Sequence, residues 1–304
     1  MSAGTVPAIA VVGNLIVDDV VYDDGSTRMA QAGGAVVHVA LGAALWDVPV
    51  GIVSIAGSDY PSEILDRLAD RGVNLDGVCC HHGPGMRTWL LYEGSRRRVV
   101  HRLGSPPHEV MSPAVGDIPE GWSPAAVHLC PMPLHRQRAW LEHLRAETSA
   151  VLSVDPFVLI QESTWADCVE AFAHADALLA SEDEVLLPVD IDQRLRWFES
   201  GIRLVLFKQG AAGGTVYDGT RRRVLSWEGR CERLVDPTGA GDAFAGGLLA
   251  GLCRGEPIER ALQKAVVSAS FTLESLDVEA MLGVSPAQAR ARLDHWFGSD
   301  VLTT

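Results

Sequence analysis

The chain has 304 residues, 47% of them hydrophobic, and its 25 basic and 39 acidic side chains leave a formal net charge of −14. That length and apolar content suffice for one large α/β core with a small appendage. The acidic balance argues against nucleic acid or an anionic membrane as the main partner. No apolar run approaches the roughly 18 residues of a membrane span, and the N-terminal residues lack the basic region of a signal peptide, so a cytoplasmic protein is expected. Six cysteines, Cys79, Cys80, Cys130, Cys168, Cys231 and Cys253, form no C-x-x-C pair and fit reduced thiols.

In chain order, Ala8 to Val12 is a short apolar run ending at Gly13-Asn14 and reads as a buried strand. Gly34 to Trp46 reads as a helix, Val50 to Ile55 as a strand, and Pro61 to Arg71 as an amphipathic helix. Cys79-Cys80-His81-His82 has metal-binding residue types, but neighbours on an extended chain point to opposite faces, which favours a strand end entering a loop. Thr88 to Tyr92 and Arg97 to His101 read as a hairpin joined by Glu93-Gly94-Ser95-Arg96. Strands are then expected at Ala126–Leu129, Val151–Asp155, Ala177–Ala180 and Arg203–Phe207. Helices are expected at Leu134–Glu147, Glu162–Ala173, Gln193–Glu199, Ala243–Arg254, Pro257–Glu274 and Pro286–Trp296. Alternation of helices with continuously apolar strands predicts an α/β fold with a parallel sheet covered on both faces. Ligands of such sheets sit at the carboxyl ends of the strands. Residues 18–31 and 87–104 fit no βα unit and are expected to form a small β-sheet standing off a single domain spanning 1–304.

The densest chemical signal is Asp236-Pro237-Thr238-Gly239-Ala240-Gly241-Asp242, running into the small-residue stretch Ala243 to Leu252. Pro237 and Gly239 punctuate a turn. Gly239, Ala240 and Gly241 leave their N–H groups accessible at a helix start, where such groups lack intrahelical partners and the helix dipole favours an anion. A carboxylate beside that anion site, Asp242, is placed to take a proton from a hydroxyl attacking a phosphoryl group. A plain glycine-rich turn with an N-terminal carboxylate would account for fewer of these residues.

This stretch closely resembles the signature of the ribokinase-like (phosphofructokinase-B type) carbohydrate and nucleoside kinases. The resemblance implies a three-layer fold with a mostly parallel sheet flanked by helices, Asp242 as catalytic base, and Gly239, Ala240 and Gly241 as the anion hole. It implies that the small sheet is a lid over the sugar site whose outer face makes a homodimer contact. Other matches follow in the family's order. Asp18, just after the first strand, stands where an Asp holds sugar hydroxyls, although Asp19 beside it competes for that role. Gly33, Gly34 and His38 resemble the Gly-Gly substrate motif, with His38 in place of the usual Asn. Ser181 and Glu184 resemble Asn-x-x-Glu, which implies Mg²⁺ held by Glu184 through water. Lys208, Gly210 and Gly213 resemble the ATP turn, and Val266 falls where the adenine is walled. Asp236 and Thr238 match part of a K⁺ site, while Leu273 to Asp277 departs from its later ligands.

The implied activity is ATP-dependent phosphotransfer to a hydroxymethyl group of a sugar, sugar acid or nucleoside. Two rivals remain. One is a sensor of the same fold that binds without turnover, for which His38 and Ser181 leave room. The other is a nicotinamide-dependent dehydrogenase, against which Gly13-Asn14-Leu15 follows the first strand in place of a dinucleotide fingerprint.

Overall fold

The structure is a computed structural model, and it describes residues 5–93, 96–186, 197 and 200–298. The helix expected at Gln193–Glu199 lies outside the described residues apart from Trp197. The chain begins with β1 (Ile9–Val12), β2 (Ile16–Val21), β3 (Thr27–Gly33), α1 (Ala35–Ala44), β4 (Val50–Ala56), α2 (Ser62–Asp70) and β5 (Asn74–Cys80). It continues with β6 (Met86–Glu93), β7 (Arg96–His101), a short α3 (His108–Met111), β8 (Ala126–Leu129), α4 (Leu134–Glu147), β9 (Val151–Val154) and α5 (Trp165–Phe172). Next come β10 (Ala177–Ser181), β11 (Leu204–Lys208), β12 (Gly214–Asp218), β13 (Arg223–Trp227), α6 (Ala240–Cys253), α7 (Ile258–Leu273), α8 (Val278–Leu282) and α9 (Pro286–Phe297).

Nine strands form the main sheet in the order β13-β12-β11-β10-β9-β8-β1-β4-β5. From β5 to β11 every pairing is parallel. Residues alternate between two cores. Ile9, Val11 and Leu179 face the core shared with α1, α6, α7 and α9, and Ala10, Val12, Leu178 and Ala180 face the core shared with α4 and α5. This double burial explains the unbroken apolar strands of the sequence. The sheet is mostly parallel, as the resemblance implied, and β12 and β13 at one edge pair antiparallel. Between Lys208 and Gly214 lie only five residues, too few for the crossover that a parallel neighbour needs.

The second sheet has the order β3-β2-β6-β7. It consists of the two expected excursions, each a hairpin, joined by parallel pairing of β2 with β6. Asp19 is its electrostatic centre. Its carboxylate is wholly buried, and it accepts from Arg87 Nε and Nη2 at 2.7 Å, Arg102 Nη1 at 2.8 Å and the Ala30 N–H at 2.9 Å.

The helices α1, α6 and α7 approach each other closely because glycines face backbone. A Cβ on Gly42 would lie 2.3 Å from the Ala243 carbonyl oxygen, and one on Gly246 would lie 2.1 Å from the Val39 carbonyl oxygen. A Cβ on Gly247 would lie 2.7 Å from the Lys264 carbonyl oxygen. The small-residue run of α6 is therefore a close-packing device between two helices. Gly246→Ala forces α1 and α6 apart and should cost about 1–3 kcal/mol of stability, read as a lowered midpoint in denaturant. Gly116→Ala, where no atom lies within 4 Å of the added Cβ, is the control. Equal midpoints for both variants would contradict this packing.

Candidate active site

The carboxyl edge of the main sheet gathers polar residues from separate elements, Ser181 and Lys208 among those expected. Asn14 follows β1, Asp155 follows β9, Ser181 ends β10 and Lys208 ends β11. The N-termini of α1 and α6 meet over the same edge. Gly239, at φ 75°, is the residue before α6, and a Cβ there would sit 2.4 Å from the His38 ring of α1. Gly34, at φ 101°, precedes α1, and a Cβ there would meet the Asn14 carbonyl oxygen at 2.3 Å. Glycine is required at both positions, by backbone angle and by contact.

Helix α6 begins at Ala240, three residues earlier than expected, which places Asp242 in its first turn. The Ala240 N–H already donates to Pro237 O at 3.2 Å, so the expected set of three open donors is reduced. Among the described residues, no backbone carbonyl outside the helix reaches the N–H of Gly239, Gly241 or Asp242.

Lys208 lies under this turn. Its Nζ would be 3.5 Å from a Cβ on Gly241, and it donates to both carboxylate oxygens of Asp155 at 3.3 Å. Burial alone lowers the Lys208 ammonium, but the negative charges of Asp155, Glu184 and Asp242 outweigh it and hold the group above its ordinary value. Burial pushes the Asp155 carboxyl well up, with Glu184 and Asp242 adding to the rise and Lys208 opposing it. We conclude that Lys208 stays protonated, because three carboxylates surround it. Behind the pair, burial with the Lys208 charge pushes His128 down to about 3, so its ring is neutral, and its Nδ1 lies 2.9 Å from Ser153 Oγ. Glu184 Oε2 accepts the Ser181 N–H at 2.6 Å, which ties the residue after β10 to its own turn. Among the described residues no cluster of three metal-ligating side chains occurs. One carboxylate near a surplus of negative charge fits a hydrated divalent ion rather than an all-protein cage.

A cleft of about 480 Å³, including its open mouth, lies between the small sheet and the α7–α8 corner. Asp18, Arg28 and Gln31 from the small sheet, His38 from α1, and Asp236, Thr238 and Asp277 line it. Asp18 lines the cleft, whereas Asp19 does not and is paired with Arg87 and Arg102. The Thr88 hydroxyl donates to Asp18 Oδ1, and Gly33 makes room for Asp18, since a Cβ there would lie 1.9 Å from Oδ2. Tyr92 of β6 reaches across to the signature turn. Its hydroxyl donates to Asp236 Oδ1 at 3.0 Å and contacts the Thr238 hydroxyl, while Asp236 also accepts the Thr238 N–H at 2.8 Å.

On the other side, Gly210 and Gly213 form the turn after β11, with Gly213 N–H donating to Gly210 O at 3.0 Å. Gly213, at φ 88°, is also pressed by β13, because a Cβ there would lie 2.0 Å from Trp227 O. Val266 is buried in the core around α6 and α7. Its neighbour Ser268 is committed to packing, donating to Gly42 O and accepting the Trp46 indole N–H, each at 2.9 Å. Cys79 and Cys80 end β5, as the strand-end reading expected.

Sequence reasoning missed Asp155, Arg28, Tyr92 and Asp277. The strand-end rule that singled out Asp18 applies equally to Asp155-Pro156 after Val151–Val154 and would have found it. The other three meet the site only through tertiary contacts.

A model of the pfkB family of carbohydrate kinases matches residues 6–282. The cytidine kinase of Thermococcus kodakarensis is 31% identical over 268 residues, covering 84% of this chain and 92% of that protein. The ATP-dependent ribose-1-phosphate kinase of Halopiger xanaduensis is 28% identical over 254 residues, covering 81% of each. Among solved structures, a putative ribokinase II from E. coli in complex with ATP and Mg²⁺ superimposes with a TM-score of 0.78 at 20% identity, covering 95% of this chain and 99% of that one. This likeness shows a shared ribokinase-like fold.

The two adjacent carboxylates should separate in stability measurements. Burial raises the Asp19 carboxyl, but the Arg87 hydrogen bond, the Ala30 N–H and the charges of Arg87 and Arg102 bring it below its ordinary value of 3.8. A depressed carboxyl contributes stability that is complete above its unfolded pKa and is lost as pH falls through the folded one. Asp19→Asn should therefore cost about 1–3 kcal/mol near pH 7, discounted for two partly exposed arginines. The gap to wild type should narrow only in acid, below the ordinary value. Asp18→Asn should cost less. The reverse order would exchange their roles.

Proposed function

The chain belongs to the pfkB family of carbohydrate kinases, and we propose that it transfers the γ-phosphoryl group of ATP to a hydroxymethyl group of a sugar, sugar acid or nucleoside. The observation that carries this reading is the meeting of Asp242, the Gly239 and Gly241 N–H groups and the Lys208 ammonium over one strand edge.

The acceptor is proposed to lie in the cleft, its vicinal hydroxyls donating to Asp18 and its sugar ring against the Gly33–Gly34 backbone. Asp242 takes the proton of the attacking hydroxyl as the bond to phosphorus forms. The open N–H groups and Lys208 stabilise charge on the transferring phosphoryl oxygens. Asp155 holds the Lys208 ammonium at that place. ATP enters along Lys208, Gly210 and Gly213. Mg²⁺, held by Glu184 through water, supplies positive charge to the phosphates when bound. The small sheet acts as the lid, with Tyr92 tying it to the signature turn. Its face away from the cleft carries the exposed Val100, and Leu103 is exposed just beyond β7; these are the apolar side chains we assign to the homodimer contact.

An ADP-release screen across pentoses, hexoses, sugar acids, sugar phosphates and nucleosides tests the activity. General-base assistance is worth about 10²–10⁴ in rate. Asp242→Asn is nearly isosteric and cannot take a proton, so kcat should fall by about that factor while both substrates still bind. A near-normal kcat in a variant whose turnover is limited by the chemical step would remove Asp242 as the base. Acceptor binding without ADP release by the native protein would instead identify a sensor. Asp18→Asn should raise the acceptor KM strongly and leave ATP binding unchanged; an effect confined to ATP would move Asp18 out of the acceptor site.

A further inference from the structure

Resting on the kinase reading and on the cleft as acceptor site, the lining has a charge pattern that constrains the acceptor. Three carboxylates, Asp18, Asp236 and Asp277, line the cleft, and among the described residues Arg28 is the one guanidinium there. The balance stays negative whether or not His38 carries a proton. Moreover, Arg28 is already neutralised. Its Nη2 pairs with Asp277 Oδ2 at 2.6 Å, and its Nη1 donates to Leu276 O at 3.4 Å. The pair is partly buried, at 31% and 23% side-chain exposure, so solvent screens it incompletely. Asp277 is in turn fixed in place, because its Oδ1 caps α8 by accepting the Ala280 N–H at 3.1 Å.

A phosphate or carboxylate entering this cleft would be desolvated beside three carboxylates, with the one lining guanidinium occupied. An uncharged polyol or nucleoside meets the opposite situation, because its hydroxyl and amino groups are donors and the lining is rich in acceptors. The sequence relatives include kinases named for both kinds of acceptor, so the distinction separates real alternatives. We propose that Asp277 is a specificity-determining residue: by occupying Arg28 it closes the acceptor site to phosphorylated and carboxylated acceptors and leaves it to uncharged sugars and nucleosides. The selection is largely repulsive, built from an unfavourable match to the wrong class.

The test compares kcat/KM for uncharged acceptors (cytidine, ribose, fructose) with that for anionic ones (ribose 1-phosphate, 2-keto-3-deoxygluconate). Wild type should favour the best uncharged acceptor by about 100-fold or more, the size of a like-charge penalty in a partly desolvated site. Asp277→Asn keeps a good cap for α8 and unmasks Arg28. It should shift the ratio by about tenfold toward the anionic class. Adding Arg28→Gln should cancel that gain, which a purely structural role of Asp277 would not predict. Calorimetric binding of the same panel ranks the acceptors independently of turnover. The intended ranking without ADP release therefore overturns the kinase reading alone. A wild-type preference for an anionic acceptor, an unchanged ratio in Asp277→Asn, or binding of no member of the panel overturns the proposal.

Discussion

The structure depends on the close approach of α1 and α6. Glycines at 42 and 246 let each helix touch the other's backbone, at positions where any Cβ would collide with a carbonyl oxygen. This contact brings the starts of the two helices together over the carboxyl edge of the sheet. Gly34 and His38 from one and Gly239 and Asp242 from the other then face a common space. Two helix N-termini there combine open N–H groups with positive dipole ends. A protein with a net charge of −14 thereby builds locally favourable ground for phosphate without a run of basic residues.

The electrostatics at that edge are finely divided. Lys208 is one of only two lysines in the chain, and it is buried among Asp155, Glu184 and Asp242. A buried ammonium among several carboxylates is a costly arrangement unless every charge has a purpose. Asp155 fixes the ammonium, Glu184 is anchored to the Ser181 N–H, and Asp242 stands in the first turn of α6. The surplus of negative charge is what a hydrated divalent cation would balance. Around the cleft the same economy recurs, with Arg28 paired to Asp277 and the Asp19 charge confined to the small sheet by Arg87 and Arg102.

Much of this was legible in the sequence, for identifiable reasons. Leu134–Glu147 appears as expected to the residue, and the apolar strands are found within about one residue at either end, because burial on both faces leaves an unbroken apolar signal. The signature read as a turn running into a helix because turn chemistry is local, although the helix starts at Ala240 and not at Ala243. What is non-local was hidden. Strands β5 and β13 are partly exposed, β12 is buried but carries Gly214, Thr215 and Asp218, and none of the three has a continuous apolar pattern. The choice between Asp18 and Asp19 depends on which face of β2 meets the cleft; Asp18 and Val20 line it, and no local signal in the strand says which face turns inward. Arg28 and Asp277 are 249 residues apart, and Tyr92 meets Asp236 across 144, so no spacing rule could pair them.

The chemistry proposed at this edge is transfer of a phosphoryl group to a hydroxyl and not its loss to water. Single-turnover rapid quench with ATP labelled in the γ-phosphate, enzyme in excess and a saturating acceptor measures this directly. The label should appear in a phosphoester on the acceptor's hydroxymethyl oxygen within the first turnover, with little free phosphate. Label released only as inorganic phosphate, or retained in ATP with every acceptor class, would contradict it.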